Sequence, residues 1–204
     1  MNWSNVLYLV TNESRETENY YENIKKALAG GVDVLQLREK SLSSKKFLNR
    51  AKKLKSITDN QNTLFIINDR LDIALAVDAD GLHLGQDDLP IDVCRKFLPN
   101  KVIGVSVSNK KEAIIAYEQG ADYLGLGAIF PTASKDDYKL LSEEIANIVS
   151  SVPIPIIGIG GIKINHVREL KKKGLAGVAV ISAILDKEDS YNSSKMFKKV
   201  LTKA

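Results

Sequence analysis

Eight short apolar runs, each followed by a longer stretch with helical spacing, fill this chain from near its start to near its end. The runs are "VLYLVT", "VDVLQLRE", "TLFIIND", "GLHLG", "VIGVSV", "YLGLGAIF", "IPIIGIG" and "GVAVISA". Between them lie amphipathic stretches such as "NYYENIKKALAGG", "SSKKFLNRAKKLKSI", "NKKEAIIAYEQG" and "NHVRELKKKG", with a shorter one in "DRLDIALAV". Several close on glycine, as helices do. Eight strand and helix units in 204 residues match a (β/α)₈ TIM barrel near its minimum length, so residues 1–204 read as one barrel domain. An open doubly wound sheet shares the alternation. The barrel is favoured because eight strands close, and because "GIGG" falls at the seventh strand rather than after the first, where a dinucleotide fingerprint belongs. No linker, low-complexity segment or close sequence repeat interrupts the pattern.

Composition narrows the class further. The chain is 44% hydrophobic and 26% charged, which excludes disordered and collagen-like proteins. No run approaches the roughly 18 apolar residues of a membrane span, and the N-terminus lacks a secretory pattern, so a cytoplasmic location is expected. Lys and Arg number 29 against 25 Asp and Glu, dispersed along the chain. That balance suits an anionic small molecule, not a nucleic-acid track, because no basic segment carries the aromatics that base stacking would use. The single Cys94 forms no internal disulfide and reads as a core filler in a helix. "KKK" at 171–173 reads as a solvated helix terminus, where cations complement the dipole.

The stretch "DVLQLREKS" then raises a question. Strand side chains alternate between two faces, so Gln36, Arg38 and Lys40 share one direction while Leu35 and Leu37 take the other. In a barrel, the carboxyl ends of the strands converge on one mouth, and residues on the inner face there line or rim it. Other strand ends are polar in the same way. Asn68 and Asp69 end the third, Gln86, Asp87 and Asp88 follow the fourth, and Ser106 lies near the end of the fifth. Thr132, Ser134 and Lys135 follow the sixth in "FPTASKDD".

Cations, carboxylates and hydroxyls at one mouth suggest a polyanion held with a divalent metal. Two carboxylates from neighbouring strand ends, completed by phosphate oxygens and water, suit Mg²⁺ on a pyrophosphate. Asp69 and Asp88 are the ligand candidates, with Asp87 competing for the second place. Each could instead cap the helix that follows it. "GIGG" and the turn after the eighth strand occupy the place where barrels build phosphate sites, although a plain tight turn would use the same glycines. His83 lies on an inner strand face and reads as a structural residue more readily than a catalyst; His166 reads as surface. Ser106 shows no His or Asp partner in the sequence, which argues against triad chemistry. No Cys and His set suggests zinc.

Taken together, "QLREK", "INDRLDIALAVDADGLHLGQDDLP", "GVSVS", "ADYLGLGAIFPTASK", "GIGGI" and "VAVISAI" resemble the thiamine phosphate synthase family, in order, from the first strand to the eighth. The resemblance implies a transferase that joins 4-amino-2-methyl-5-hydroxymethylpyrimidine diphosphate to 4-methyl-5-(2-hydroxyethyl)thiazole phosphate, releasing pyrophosphate by dissociative departure assisted by Mg²⁺. It implies that Gln36, Arg38, Lys40 and Asn68 hold the pyrimidine diphosphate, with Leu37 and Glu39 in the same segment. Asp69 and Asp88 would hold the metal and Ser106 would contact the pyrimidine. Thr132, Ala133 and Ser134 would border the thiazole phosphate and the leaving diphosphate, and Lys135 would meet that diphosphate. Gly161, Ile181 and Ser182 would seat the thiazole phosphate. Arg38, Lys40, Ser106 and Lys135 are thus the catalytic set. The expected partners are phosphorylated small molecules, not nucleic acid or membrane; a homodimer is left open.

Three departures from the family pattern stand out. Ser134 replaces a common Thr, the loop after "SKDD" is short, and Ser108 stands where many members have His. The last separates two related readings. A thiazole tautomerase would use a histidine near that position, and a non-catalytic regulator that binds thiazole phosphate would be expected to have lost Lys135 or the aspartates.

Overall fold

A computed structural model describes residues 2–11, 19–59, 61–131 and 144–203. Its eight strands are β1 (Val6–Val10), β2 (Val34–Leu37), β3 (Leu64–Asn68), β4 (Gly81–Leu84), β5 (Val102–Val107), β6 (Tyr123–Leu126), β7 (Ile156–Ile159) and β8 (Gly177–Val180). Every neighbouring pair is parallel, and β8 pairs with β1 to close the barrel. The open-sheet alternative is thereby excluded. The described helices are α1 (Tyr20–Ala29), α2 (Ser44–Thr58), α3 (Leu71–Ala76), α4 (Ile91–Phe97), α5 (Lys110–Glu118), α6 (Ile145–Val149), α7 (Val167–Lys172), α8 (Ser182–Leu185) and α9 (Ser190–Lys203).

Two apolar layers follow from the strand alternation. Outward residues such as Leu35, Leu37, Leu82, Leu84, Leu124 and Leu126 pack under the helices. Inward residues fill the barrel, among them Tyr8, Val34, Ile66, Tyr123 and Ile157. Cys94 is buried on the inner face of α4, as its sequence context suggested.

Three of the four even strands, β2, β4 and β6, share a short pattern that the sequence reading passed over: "DVLQL" at 33–37, "DGLHL" at 80–84 and "DYLGL" at 122–126. Each aspartate does the same work. Asp33 Oδ2 accepts from Leu7 N at 2.8 Å, Asp80 Oδ2 from Phe65 N at 2.8 Å and Asp122 Oδ2 from Ile103 N at 2.7 Å. A carboxylate entering β2, β4 and β6 thus satisfies an amide of the preceding odd strand, where an unpaired donor would be costly. The two leucines of each pattern face the helices. The two alternating positions face the barrel axis, and they include Gln36, His83, Tyr123 and Gly125.

One aromatic ring dominates the interior. Tyr123 is fully enclosed and is stacked by Trp3 at a centroid distance of 4.7 Å. A Cβ at Gly104 would overlap the Tyr123 ring, so the glycine in β5 makes the space that ring fills.

The C-terminal helix α9 lay outside the sequence reading. It packs on α1, and Gly30 permits the approach because a Cβ there would meet Ser194 Cβ at 2.7 Å. Lys198 of α9 also pairs with Asp33 at 2.7 Å, tying the helix to the base of β2.

Candidate active site

A cavity of about 1200 Å³ opens along the barrel axis and reaches the carboxyl ends of the strands. Of the residues expected at the mouth, Gln36, Arg38, Asn68, Ser106, Gly161, Ile181 and Ser182 all line it. They come from β2, β3, β5, β7 and β8 or the turns just beyond, which is the convergence that a closed barrel produces.

Arg38 is held by its main chain. Its N–H donates to Thr11 Oγ1 at 3.0 Å, and Thr11 N in turn donates to Gln36 O at 2.9 Å. Thr11, at the end of β1, was not anticipated. Lys40 stands farther out at the rim, 3.3 Å from Asp69 Oδ2. Leu37 and Glu39 differ from their neighbours in "QLREK", because alternation turns them the other way. Leu37 packs in the outer core, and Glu39 pairs with Arg50 of α2, so neither side chain reaches the mouth.

Asp69 adopts φ of 60°, a left-handed conformation that Asp tolerates better than most residues. Its N–H donates to His83 O at 2.8 Å, which fixes it against β4. Burial and then the adjacent Asp88 carboxyl push the Asp69 carboxyl above its usual range, and Lys40 opposes them. Asp88 Oδ2 accepts from Gly85 N at 2.6 Å. Neither aspartate caps a helix. Arg70 and Pro90 occupy the N-cap positions of α3 and α4, without side-chain capping bonds. Two hard oxygen donors facing each other, with mutual repulsion to relieve, fit Mg²⁺. Among the described residues no group of three or more His, Cys, Asp or Glu could hold a metal.

The glycines after β7 are both left-handed, with φ of 98° at Gly160 and 60° at Gly161. A Cβ at Gly160 would meet Ala128 Cα at 2.6 Å, and both glycines border the cavity. The tight turn and the close backbone approach are therefore one feature. His166 is half-buried rather than a plain surface residue, stacked on Phe130 at 3.9 Å in a 3₁₀ turn before α7. Thr132, Ala133, Ser134 and Lys135 lie outside the described residues.

Ser106 corrects the sequence reading, because it does have a histidine partner. His83 Nε2 is 2.9 Å from Ser106 Oγ, and His83 Nδ1 is 2.8 Å from Tyr123 Oη. Tyr123 Oη is 2.8 Å from Tyr8 Oη, which accepts from Gln36 Nε2 at 2.8 Å. Burial pushes the His83 imidazole down to about 4 and both phenols up, so all three are neutral at pH 7. Ser108, by contrast, turns away from the cavity chemistry. Its N–H donates to Glu112 Oε2 at 2.6 Å at the start of α5.

A closed eight-stranded α/β barrel with cations, a carboxylate pair and a glycine turn gathered at the carboxyl ends of its strands defines a barrel enzyme for phosphorylated small molecules. A family described as thiamine monophosphate synthase matches residues 7–184 of this chain. A thiamine-phosphate synthase from Ruminiclostridium cellulolyticum is 47% identical over 192 residues, covering 93% of this chain and 91% of its own. One from Fusobacterium nucleatum is 50% identical over 186 residues, covering 90% of each. The structure of a thiamine phosphate pyrophosphorylase from Pyrococcus furiosus superposes with a TM-score of 0.91 at 39% identity, covering 99% of this chain and 97% of that one. The chain belongs to the thiamine monophosphate synthase family, and its activity is that of a transferase in thiamine biosynthesis.

Proposed function

We propose that the chain joins 4-amino-2-methyl-5-hydroxymethylpyrimidine diphosphate to 4-methyl-5-(2-hydroxyethyl)thiazole phosphate. The observation that carries this reading is the carboxylate pair Asp69 and Asp88 beside Lys40, a charge arrangement suited to a metal-bound diphosphate, with Arg38 lining the cavity at the end of β2. The C–O bond to the diphosphate breaks first and leaves a methylene cation on the pyrimidine. The thiazole nitrogen then supplies the lone pair for the new C–N bond. No base is needed, because no proton moves in either step. What the enzyme must stabilise is negative charge growing on the leaving oxygen.

Arg38, Lys40 and Lys135 supply cations for that charge, and Asn68 adds an amide at the floor of the mouth. Mg²⁺ held by Asp69 and Asp88 would neutralise the diphosphate further. Gln36 and Ser106, deeper in the cavity, hold the pyrimidine. The turn at Gly161 and the start of α8 at Ile181 and Ser182 seat the thiazole phosphate on backbone N–H groups. Thr132, Ala133 and Ser134 border both phosphates in the same scheme. Ser108, standing where a tautomerase would use histidine, binds Glu112 and brings no imidazole to the site, which favours the synthase reading.

The test is to incubate purified protein with both substrates and Mg²⁺ and to follow thiamine phosphate by chromatography. Parallel incubation with thiazole phosphate isomers alone separates synthase from isomerase. Thiamine phosphate from the first mixture, with no isomer exchange in the second, is the expected result.

A further inference from the structure

Gln36, Tyr8, Tyr123, His83 and Ser106 form one unbroken hydrogen-bonded chain across five strands of the barrel. Its proton arrangement can be counted. Gln36 Nε2 is an amide nitrogen and can only donate, so Tyr8 Oη accepts from it. Tyr8 then donates to Tyr123, and Tyr123 to His83 Nδ1, because only this direction gives both phenol protons an acceptor within the chain. With Nδ1 accepting, the neutral imidazole carries its proton on Nε2 and donates it to Ser106 Oγ. The Ser106 hydroxyl proton is left over, beside a cavity that Ser106 lines.

We propose that Tyr8, Tyr123 and His83 are positioning residues that fix Ser106 as a hydrogen-bond donor toward the substrate. Ser106 then recognises an acceptor, such as an unprotonated ring nitrogen of an aminopyrimidine, and discriminates against a ring carrying C–H or N–H there. The same polarity excludes His83 as a base for Ser106, because the nitrogen facing the hydroxyl already holds a proton. Packing holds the relay in place: Tyr123 is clamped between Trp3 and the space at Gly104, and Gly125 leaves room for the His83 ring, since a Cβ there would meet His83 Cε1 at 3.2 Å.

The first test is nitrogen-15 NMR of the imidazoles in the ligand-free protein. The chain has 2 histidines, so a His83→Gln spectrum assigns the signals. The expected tautomer is Nε2–H with Nδ1 unprotonated, shifting toward a mixture in Tyr123→Phe, which deletes one oxygen from the relay. An Nδ1–H tautomer in the wild type, or one unmoved by Tyr123→Phe, overturns the proposal.

The second test rests on the proposed function and compares the pyrimidine diphosphate with an analogue that has C–H in place of the ring nitrogen. The wild type should prefer the natural ring at least tenfold in kcat/KM. Ser106→Ala should lose that preference, and Tyr123→Phe should reduce it severalfold. Equal discrimination by all three contradicts the relay. Should the wild type make no thiamine phosphate, the functional reading fails, and the tautomer still decides the relay.

Discussion

The ammonium of Lys40 stands 3.3 Å from Asp69 Oδ2 and joins the end of β2 to the end of β3. Lys40 therefore balances part of the charge that Asp69 and Asp88 concentrate at the rim, and in the proposed reaction the same cation turns to the diphosphate.

Asp69→Asn tests this arrangement. The amide keeps the tolerance for φ of 60° but removes one hard anionic donor. Turnover should fall at least about 100-fold, while unfolding in urea shifts by no more than about 1 kcal/mol, since relieved repulsion offsets the lost ion pair. An active variant with an ordinary Mg²⁺ titration would remove Asp69 from the metal site.

Lys135→Ala should lower kcat by about 100-fold with little change in thiazole phosphate affinity, because its charge is needed most as the diphosphate departs. Steady-state kinetics with both substrates varied will show this. An unchanged kcat rejects the role.

Gly104→Ala should destabilise the barrel by about 1 to 3 kcal/mol, because the new methyl group occupies space that Tyr123 fills. A lowered urea midpoint with an unchanged slope is the expected signature. Wild-type stability would mean that the tyrosine ring is not fixed there.

Stability should also fall in mild acid. The folded His83 titrates at about 4 against 6.5 for the free side chain, so the unfolded chain takes up a proton first as pH drops. Its contribution is complete above about 6.5 and is lost progressively down to about 4, by up to about 3 kcal/mol. Urea unfolding at several pH values will measure the slope. His83→Gln should flatten it between those limits; an equal slope in the variant assigns the effect elsewhere.

The barrel was legible because strand and helix periods alternate without a break, and all eight apolar runs became strands. Gln36, Arg38, Asn68 and Ser106 were legible because polar residues on an inner strand face need a reason to be there. Other features were hidden for physical reasons. Leu37 and Glu39 share a segment with mouth residues, yet alternation sends them outward. Tyr8 and Tyr123 look like core aromatics in sequence, and only barrel closure brings their hydroxyls together. The His83 to Ser106 contact joins residues far apart in sequence on adjacent strands. The repeated Asp-x-Leu-x-Leu pattern was visible, but its meaning required the register that places each aspartate beside the neighbouring strand's amide. The helix "SYNSSKMFKKVLTK" is rich in serine, with weak helical propensity, and is secured by its packing on α1.

The most direct measurement is the stoichiometry of thiamine phosphate and pyrophosphate formed from the two substrates, with Mg²⁺, with a chelator, and after Mg²⁺ is restored. The account predicts equal amounts of both products, lost with the chelator and recovered with the metal. Folded protein that forms neither product, or that forms both undiminished in the chelator, would contradict it.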